Sequence, residues 1–488
     1  MPQKEQKYIK RNSPIKAGFG YTIGNYLIKG LGFLTLPLFT RLFSTSDFGI
    51  YNTFIAYESI LFVIIGFAIH SSYKNARYKY KTVSEGAAIG KDYQTYISST
   101  MILLVAGLVL WLFIVNVFTD ALCKVLQLNR LQQNILVAYA FSSAVIICYN
   151  SYVGIDYQYK SFLKVAAINS VFNIGLSIVL ILTVCNSERY MGRIIGTAIP
   201  SLLIAIVIVI YFIRLSKPRN VRSFLKWGLK YSLPIVPHGL SQIILSSFDR
   251  IMILHMVSAS SAGIYSFAHT VCTLVQVTVS SLDTVWSPWF YEKKNQKNEE
   301  SIKKYGSLYA IFIFIFSTII MLIAPELLKF LGPKEYADSL YCVIPLITGA
   351  FFAFLYNLPA SVEYYYEKTH FIAIGTISAA VINIVLNYIC IKRFGYIAAA
   401  YTTLITYFLY FVFHYFLAKK IEGKFIYSNK VMSILSIGIL FVNFTSIKLL
   451  DYAIIRWSIA IVISFLLVFI EEKQYGYGKK IIKSKFNK

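Results

Sequence analysis

Ionisable side chains set inside long apolar stretches are the residues of this chain best placed to do chemistry. Lys29 falls near the middle of one apolar stretch (17–41), and Glu58 near the middle of the next (48–72). A charge at the centre of a membrane helix costs about 2.5–3.5 kcal/mol on insertion, so each one needs a reason. The turn between the two stretches centres near residue 45, 16 positions after Lys29 and 13 before Glu58. At 1.5 Å per residue their depths differ by only about 5 Å, close enough to pair. In one reading a buried Lys–Glu pair locks two helices, although desolvation offsets most of its attraction. In the other, Lys29 faces a cavity and binds an anion, while Glu58 orients it or titrates.

A second group lies around a turn near residue 259: Asp249 and Arg250 before it and His269 after it, at one depth. Adjacent helical residues point about 100° apart, so Asp249 and Arg250 face different ways. Either Arg250 is aimed at a cavity and Asp249 at a neighbouring helix, or the three form a local network. Arg77, just past the second stretch, either binds a phosphate at the inner mouth or is one more basic residue of a loop. His70 and Asp283 read as boundary residues, the latter ahead of the interfacial cluster Trp286, Pro288 and Trp289. Glu326 and Glu363 sit at the ends of stretches and read as solvated.

The elements that must position these groups are membrane helices. Hydrophobic residues make up 57% of the 488 and charged residues 14%, more apolar surface than a soluble chain of this length buries. Spans of about 20 residues are expected at 17–41, 48–72, 97–118, 133–153, 165–185, 194–213, 231–257, 262–288, 305–328, 341–361, 371–391, 398–417, 431–448 and 453–470. The fold class is therefore all-α and polytopic, with about fourteen spans. The net charge of +25 is a topology signal rather than a nucleic-acid footprint. With the N-terminus in the cytoplasm, most Lys and Arg fall on that side, which puts both ends there. The Lys-rich tail also suits anionic lipid headgroups.

The chain reads as one unit built twice. DFGIYNTFIA at 47–56 matches SAGIYSFAHT at 261–270, YNSYVGIDYQYK at 149–160 matches YNLPASVEYYYEK at 356–368, and MGRIIGTA at 191–198 matches FGYIAAAY at 394–401. The offsets of 214, 207 and 203 residues keep the same order, with six spans per copy, which gives a parallel repeat. The parts are a basic N-terminus (1–16), an N-lobe of spans 1–6 (17–213), a basic linker (214–230), a C-lobe of spans 7–12 (231–417), spans 13–14 (431–470) and a basic tail (471–488). The two lobes are expected around a central cavity. Pro234 and Pro237 open span 7 and would bend it.

Nothing in the chain marks an enzyme. EGAAIGKD at 85–92 has Glu85 in place of the first glycine of a phosphate loop and Asp92 in place of its Ser or Thr. The longest polar connection, 73–96, is too short for a catalytic domain. The six cysteines are scattered, with no metal spacing or disulfide framework, and no cofactor is expected.

TRLFSTSDFGIYNTFIAY at 40–57 resembles the polysaccharide transport family of the multidrug, oligosaccharidyl-lipid and polysaccharide exporter superfamily. Thr40, Arg41, Leu42, Asp47, Gly49, Ile50 and Tyr51 carry the likeness, and Asp249-Arg250-Ile251 with Gly263-Ile264-Tyr265-Ser266 carry it in the second copy. The resemblance implies a flippase working by alternating access in the bacterial cytoplasmic membrane. Its substrate would be an undecaprenyl-diphosphate-linked oligosaccharide repeat unit for capsule, exopolysaccharide or O-antigen, with membrane lipids and a polysaccharide polymerase complex as partners and no nucleic acid. Lys29, Arg250 and Arg77 would be the cavity cations, Glu58 and Asp249 the ion-coupling carboxylates, and His269 a charge partner. Spans 13 and 14 would help receive the lipid tail. An ion-coupled drug antiporter and a lipid II flippase of the same superfamily are the alternatives.

Overall fold

The structure, a computed structural model, describes residues 32–80 and 91–463. Lys29, and with it the expected Lys29–Glu58 pairing, lies outside the described residues. Among the described residues the chain is helical, without strands. Eleven of these helices are long and apolar enough to cross a membrane.

The first unit, Met1–Leu254, begins with α1 (32–42), α2 (Thr45–Gly66), α3 (Tyr73–Lys79) and α4 (Lys91–Val117). It continues with α5 (Thr119–Leu126), α6 (Arg130–Ile155), α7 (Tyr159–Leu182), α8 (Arg189–Leu215), α9 (Val221–Ser232) and most of α10 (Val236–Met256). Helix α8 packs on α7, α6, α4 and α2, and α6 also packs on α2 and α4. Phe54, Met101, Val137, Ala140, Cys148 and Phe212 fill the space between them. The close approach of α8 to α7 needs Gly196, because a Cβ there would stand 2.5 Å from Ser177 Cα.

The expected linker 214–230 is not a plain connection. Helix α9 is built from its second half, and Phe224 and Trp227 pack edge-on against Tyr80 and Tyr96. Leu233–Ile235 form a short 3-10 turn between α9 and α10. Pro234 sits in this turn, where its missing N–H costs little. The 21-residue α10 is long enough to span but more polar, with His238, Asp249, Arg250 and His255.

The second unit, His255–Lys488, contains α11 (Ala259–Asn295), α12 (Glu299–Leu331), α13 (Leu340–Leu355), α14 (Asn357–Tyr365), α15 (Thr369–Phe394), α16 (Ile397–Glu422) and α17 (Asn429–Lys448). A short apolar helix, α18 (Ala453–Ile463), follows. Helix α13 is the hub, in contact with α11, α12, α16 and α17. The span expected at 341–361 corresponds to α13 and α14, which meet at Tyr356 with its backbone still helical (φ −66°, ψ −28°). Arg456 on α18 makes a bidentate pair with Glu326 of α12, at 2.8 and 2.7 Å, and also donates to Leu449 O at 3.1 Å. Glu326 is therefore engaged, although its side chain keeps 34% exposure. Glu363, expected to be solvated, is fully buried and bonded to His414.

Local geometry repeats between the copies. Ser44 caps α2 by accepting from Asp47 N–H, and Ser258 caps α11 by accepting from Ser261 N–H, 214 residues on. Helix α6 ends in a turn with Tyr157 at φ 57° and Gln158 N–H bonded to Val153 O. Helix α14 ends the same way, with Glu367 at φ 57° and Lys368 N–H bonded to Glu363 O. Gln158 and Lys368 are 210 residues apart, so the structural register lies three residues from the one the Tyr-Asn pairs indicate.

Candidate functional site

A polar cluster in the first unit joins α2, α6, α7 and α8. Glu58 is 6% exposed. Ser143 of α6 hydrogen-bonds its carboxyl, and its Oε1 has no hydrogen-bond partner among the described residues. Tyr139, one turn before Ser143, lies within electrostatic reach of Glu58, Tyr51 and Arg193. Arg193 of α8 donates through Nη1 to Asn173 Oδ1 and Ser177 Oγ, each at 3.1 Å. Its guanidinium carbon sits 3.9 Å from the Phe39 ring centre and 5.4 Å from that of Tyr51. Thr197 donates to Asn173 Oδ1 at 3.2 Å, and its hydroxyl lies 3.3 Å from that of Tyr51.

The Arg193 charge is thus met by neutral oxygens and ring faces, and by no carboxylate among the described residues. Ring faces offset about 0.5–2 kcal/mol of a cation's desolvation. A guanidinium held this way keeps donors for an incoming anion, to which it bonds in a bidentate fork. Sequence reading missed Arg193 because the span was expected to start at 194. Helix α8 starts at Arg189, which moves Arg193 from a loop into a membrane helix. The signal present in the sequence was its place within the repeated MGRIIGTA segment.

The residues singled out from the sequence fall in different surroundings. Arg77 is 5% exposed, lies 3.6 Å from Asp156 Oδ1 and sits over the Tyr93 ring at 5.6 Å. It is built into a packed ion pair rather than facing an open mouth. On α10, Asp249 is 2% exposed and Arg250 is partly exposed. His269, partly exposed on α11, belongs to the second unit. Asp283 of α11 accepts from Asn357 Nδ2 at 3.0 Å, which ties the aromatic boundary to the start of α14. His70 lies outside the spanning helices in a 3-10 turn, where burial lowers its proton affinity.

The second unit carries its own buried polar ladder. Asn387 Nδ2 donates to Asn383 Oδ1 at 3.1 Å, Asn383 Nδ2 to Thr403 Oγ1 at 3.3 Å, and the Thr402 hydroxyl to Asn387. These bonds tie α15 to α16 without a charge. Among the described residues no group of three or more His, Cys, Asp or Glu side chains could hold a metal ion.

A chain whose described residues are helical, with eleven helices long and apolar enough to cross a membrane, is a multi-pass membrane protein. The chain belongs to the family described as Polysaccharide biosynthesis protein, whose match covers residues 15–294, more than half of its length. A second family match, MatE, covers residues 234–389. The chain is 21% identical over 381 residues to protein 1 of the Lsg locus of Haemophilus influenzae, a match covering 75% of this chain and 88% of that protein. Its fold is similar to that of the lipid II flippase MurJ in an inward closed conformation, with a TM-score of 0.71 at 17% identity over 93% of this chain and 98% of that one. A multidrug resistance MATE transporter in its inward-facing conformation matches with a TM-score of 0.58 at 17% identity, over 81% and 98%. A superfamily transporter from Pyrococcus furiosus matches at 0.55 and 15%, over 86% and 99%.

Proposed function

We propose that this protein flips undecaprenyl-diphosphate-linked oligosaccharide repeat units from the cytoplasmic to the outer leaflet of the bacterial cytoplasmic membrane, by alternating access, in capsule, exopolysaccharide or O-antigen synthesis. The observation that carries this reading is Arg193, a guanidinium within an apolar helix that among the described residues meets neutral acceptors and ring faces. A diphosphate and a glycan cannot cross hydrocarbon unaided, since an unpaired ion costs roughly tens of kcal/mol there. A polar interior lined by Arg193, Asn173, Thr197 and Tyr51 offsets part of that cost, while the prenyl tail stays in the lipid. Membership of a polysaccharide biosynthesis family supports a glycan-bearing cargo.

In this proposal Lys29 and Arg250 add cationic charge along the path, and Arg77 contributes only in a state where its contact with Asp156 opens. Glu58 and Asp249 are the carboxylates for coupling to an ion gradient, and His269 is a charge partner. Both termini face the cytoplasm, and spans 13 and 14 receive part of the lipid tail. A polysaccharide polymerase complex is the proposed consumer of the flipped unit.

Complementation of a bacterium lacking its repeat-unit flippase tests the reading, with wild type beside Arg193→Ala, Arg193→Lys, Lys29→Ala and Arg250→Ala at equal membrane abundance. The wild type should restore surface glycan and Arg193→Ala should not. If Arg193→Ala matches the wild type, the cationic path is wrong. The likeness to MurJ over nearly the whole chain favours lipid II as the second cargo to try. Rescue of a MurJ-depleted strain, with no rescue of the repeat-unit strain, would establish that alternative.

A further inference from the structure

Glu363 and His414 form a buried acid–base pair within the second unit. Glu363 lies in α14, three residues before the cap Tyr366, and His414 lies on α16. Glu363 Oε1 and His414 Nδ1 are 2.6 Å apart, and both side chains are 0% exposed. The two remaining polar atoms, Glu363 Oε2 and His414 Nε2, have no hydrogen-bond partner among the described residues. Rings of Tyr356 and Tyr410 stand 5.4 and 4.5 Å from the imidazole, and Phe413 stands at 5.1 Å. Tyr364 lies within electrostatic reach of the carboxyl. From α15 the neighbour is Gly375, where a Cβ would stand 2.7 Å from Nε2. The titratable groups facing the pair are the phenols of Tyr356, Tyr364 and Tyr410, and among the described residues the only charged partner of Glu363 is His414.

A purely structural link between α14 and α16 has no need of this chemistry. A Thr376–Tyr410 hydroxyl contact at 2.8 Å already ties α15 to α16 without a charge. The acid–base pair instead leaves two buried polar atoms without a hydrogen-bond partner among the described residues, which is costly in a dry interior. The first unit offers the comparison. Its helix α6 ends in the same turn as α14, and the buried acid there, Asp156, faces Arg77. Arginine keeps its proton under all physiological conditions, whereas histidine alone among side chains ordinarily changes charge near neutral pH. Asp156 caps α6 and Glu363 lies three residues inside α14, so they are not equivalent positions, but the first meets a fixed cation and the second an exchangeable one.

The proton count follows from charge. With one proton shared between them, the pair is neutral overall, whether as imidazolium–carboxylate or imidazole–carboxylic acid. Adding a second proton gives a net +1 and removing the first a net −1, and either state is costly without water. The proton can therefore exchange only when water reaches the pair, which requires α14 to move from α16. On the α15 side, Gly375 puts bare backbone rather than a side chain against the pair.

We propose that Glu363 and His414 are a proton-binding site at which proton exchange is coupled to the parting of α14 from α16. Resting on the transport reading above, this makes the proton a coupling ion of the transporter.

The test uses the full-length chain in lipid nanodiscs, labelled with 15N-histidine. The signal of His414 among the six histidines is assigned by its loss in His414→Gln. Titration follows the ring nitrogens by NMR and the carboxyl band of Glu363 by infrared difference spectroscopy, assigned with Glu363→Gln. The expected result is one step shared by both groups, since a strongly coupled pair titrates as a unit. Glu363→Gln should abolish the carboxyl part of that step and change the His414 response. Should Glu363→Gln fail to fold, Gly375→Ala keeps both groups while pressing on Nε2, and should also move the step. A His414 signal that stays constant across the ordinary histidine range, or ignores both variants, overturns the proposal. In proteoliposomes holding fluorescent undecaprenyl-diphosphate-linked oligosaccharide, a pH gradient should drive net movement in the wild type and not in Glu363→Gln or His414→Gln. A shared step together with gradient-independent movement would overturn the coupling and leave the flippase reading intact. A shared step with no movement under any gradient would instead overturn the flippase reading.

Discussion

The chemistry of this chain turns on which buried charges are already spent. Arg77 and Asp156 each have side chains 6% exposed and face each other. Breaking such a pair from one side strands the other charge, at a cost of about 3–5 kcal/mol. Arg77→Ala should therefore lower the thermal unfolding midpoint in detergent markedly, and the double variant Arg77→Met with Asp156→Leu should recover most of the loss. A midpoint unchanged in Arg77→Ala would show that the pair holds nothing together. Arg193 is the opposite case, a cation without a bonded carboxylate among the described residues. If it grips a diphosphate, each charge-assisted bond lost is worth about 1.5–3 kcal/mol, so Arg193→Ala should cut flipping about tenfold or more. Arg193→Lys should fall in between, because it keeps the charge and loses the fork. Glu58 was legible in the sequence because it stands alone in an apolar span. Arg193 and Glu363 were not, because each lies close to a helix end, where a shift of a few residues decides between solvent and interior. His414 gave no hint of a partner 51 positions away, since a histidine in an aromatic-rich helix reads as packing.

At the scale of elements, hydropathy located the helices and little of what joins them. The spans at 48–72, 97–118, 133–153, 165–185 and 194–213 all correspond to helices, because apolar length alone decides which segments can span. What hydropathy could not show was α9, an amphipathic helix whose aromatic face is read only against Tyr80 and Tyr96. Close packing was similarly hidden until the partner helix was known. Gly196→Ala drives a methyl into the α7 backbone, and overpacking of this kind costs about 1–3 kcal/mol. Thermal unfolding should therefore show a lower midpoint for Gly196→Ala than for Gly154→Ala, where a Cβ meets nothing within 4 Å. Helix α18 is tied to α12 largely through Arg456. Arg456→Ala removes its two bonds to Glu326, and amide hydrogen exchange over 453–463 should rise while α13 stays protected. Equal exchange in variant and wild type would mean that lipid packing alone holds the helix.

For the whole molecule, duplication was the most informative signal in the sequence, and its physical trace is local. Serine caps recur 214 residues apart, and the same left-handed helix end recurs 210 residues apart. These features survive divergence because a cap or a positive-φ turn tolerates few alternatives, while lipid-facing positions accept any apolar residue. The buried acids do not follow that register: Asp156 caps α6 and faces an arginine, while Glu363 lies inside α14 and faces a histidine. The fold alone does not name the cargo, since the structures it resembles include a lipid II flippase and a multidrug resistance transporter.

The most direct test of the central claim is reconstitution of the purified chain in liposomes with fluorescent undecaprenyl-diphosphate-linked oligosaccharide. An impermeant quencher added outside reports how much label becomes accessible with time. The account predicts protein-dependent loss of the protected label, slowed about tenfold or more by Arg193→Ala at equal protein incorporation. Protection that persists in wild-type liposomes as in protein-free ones, while lipid II crosses readily, would contradict it.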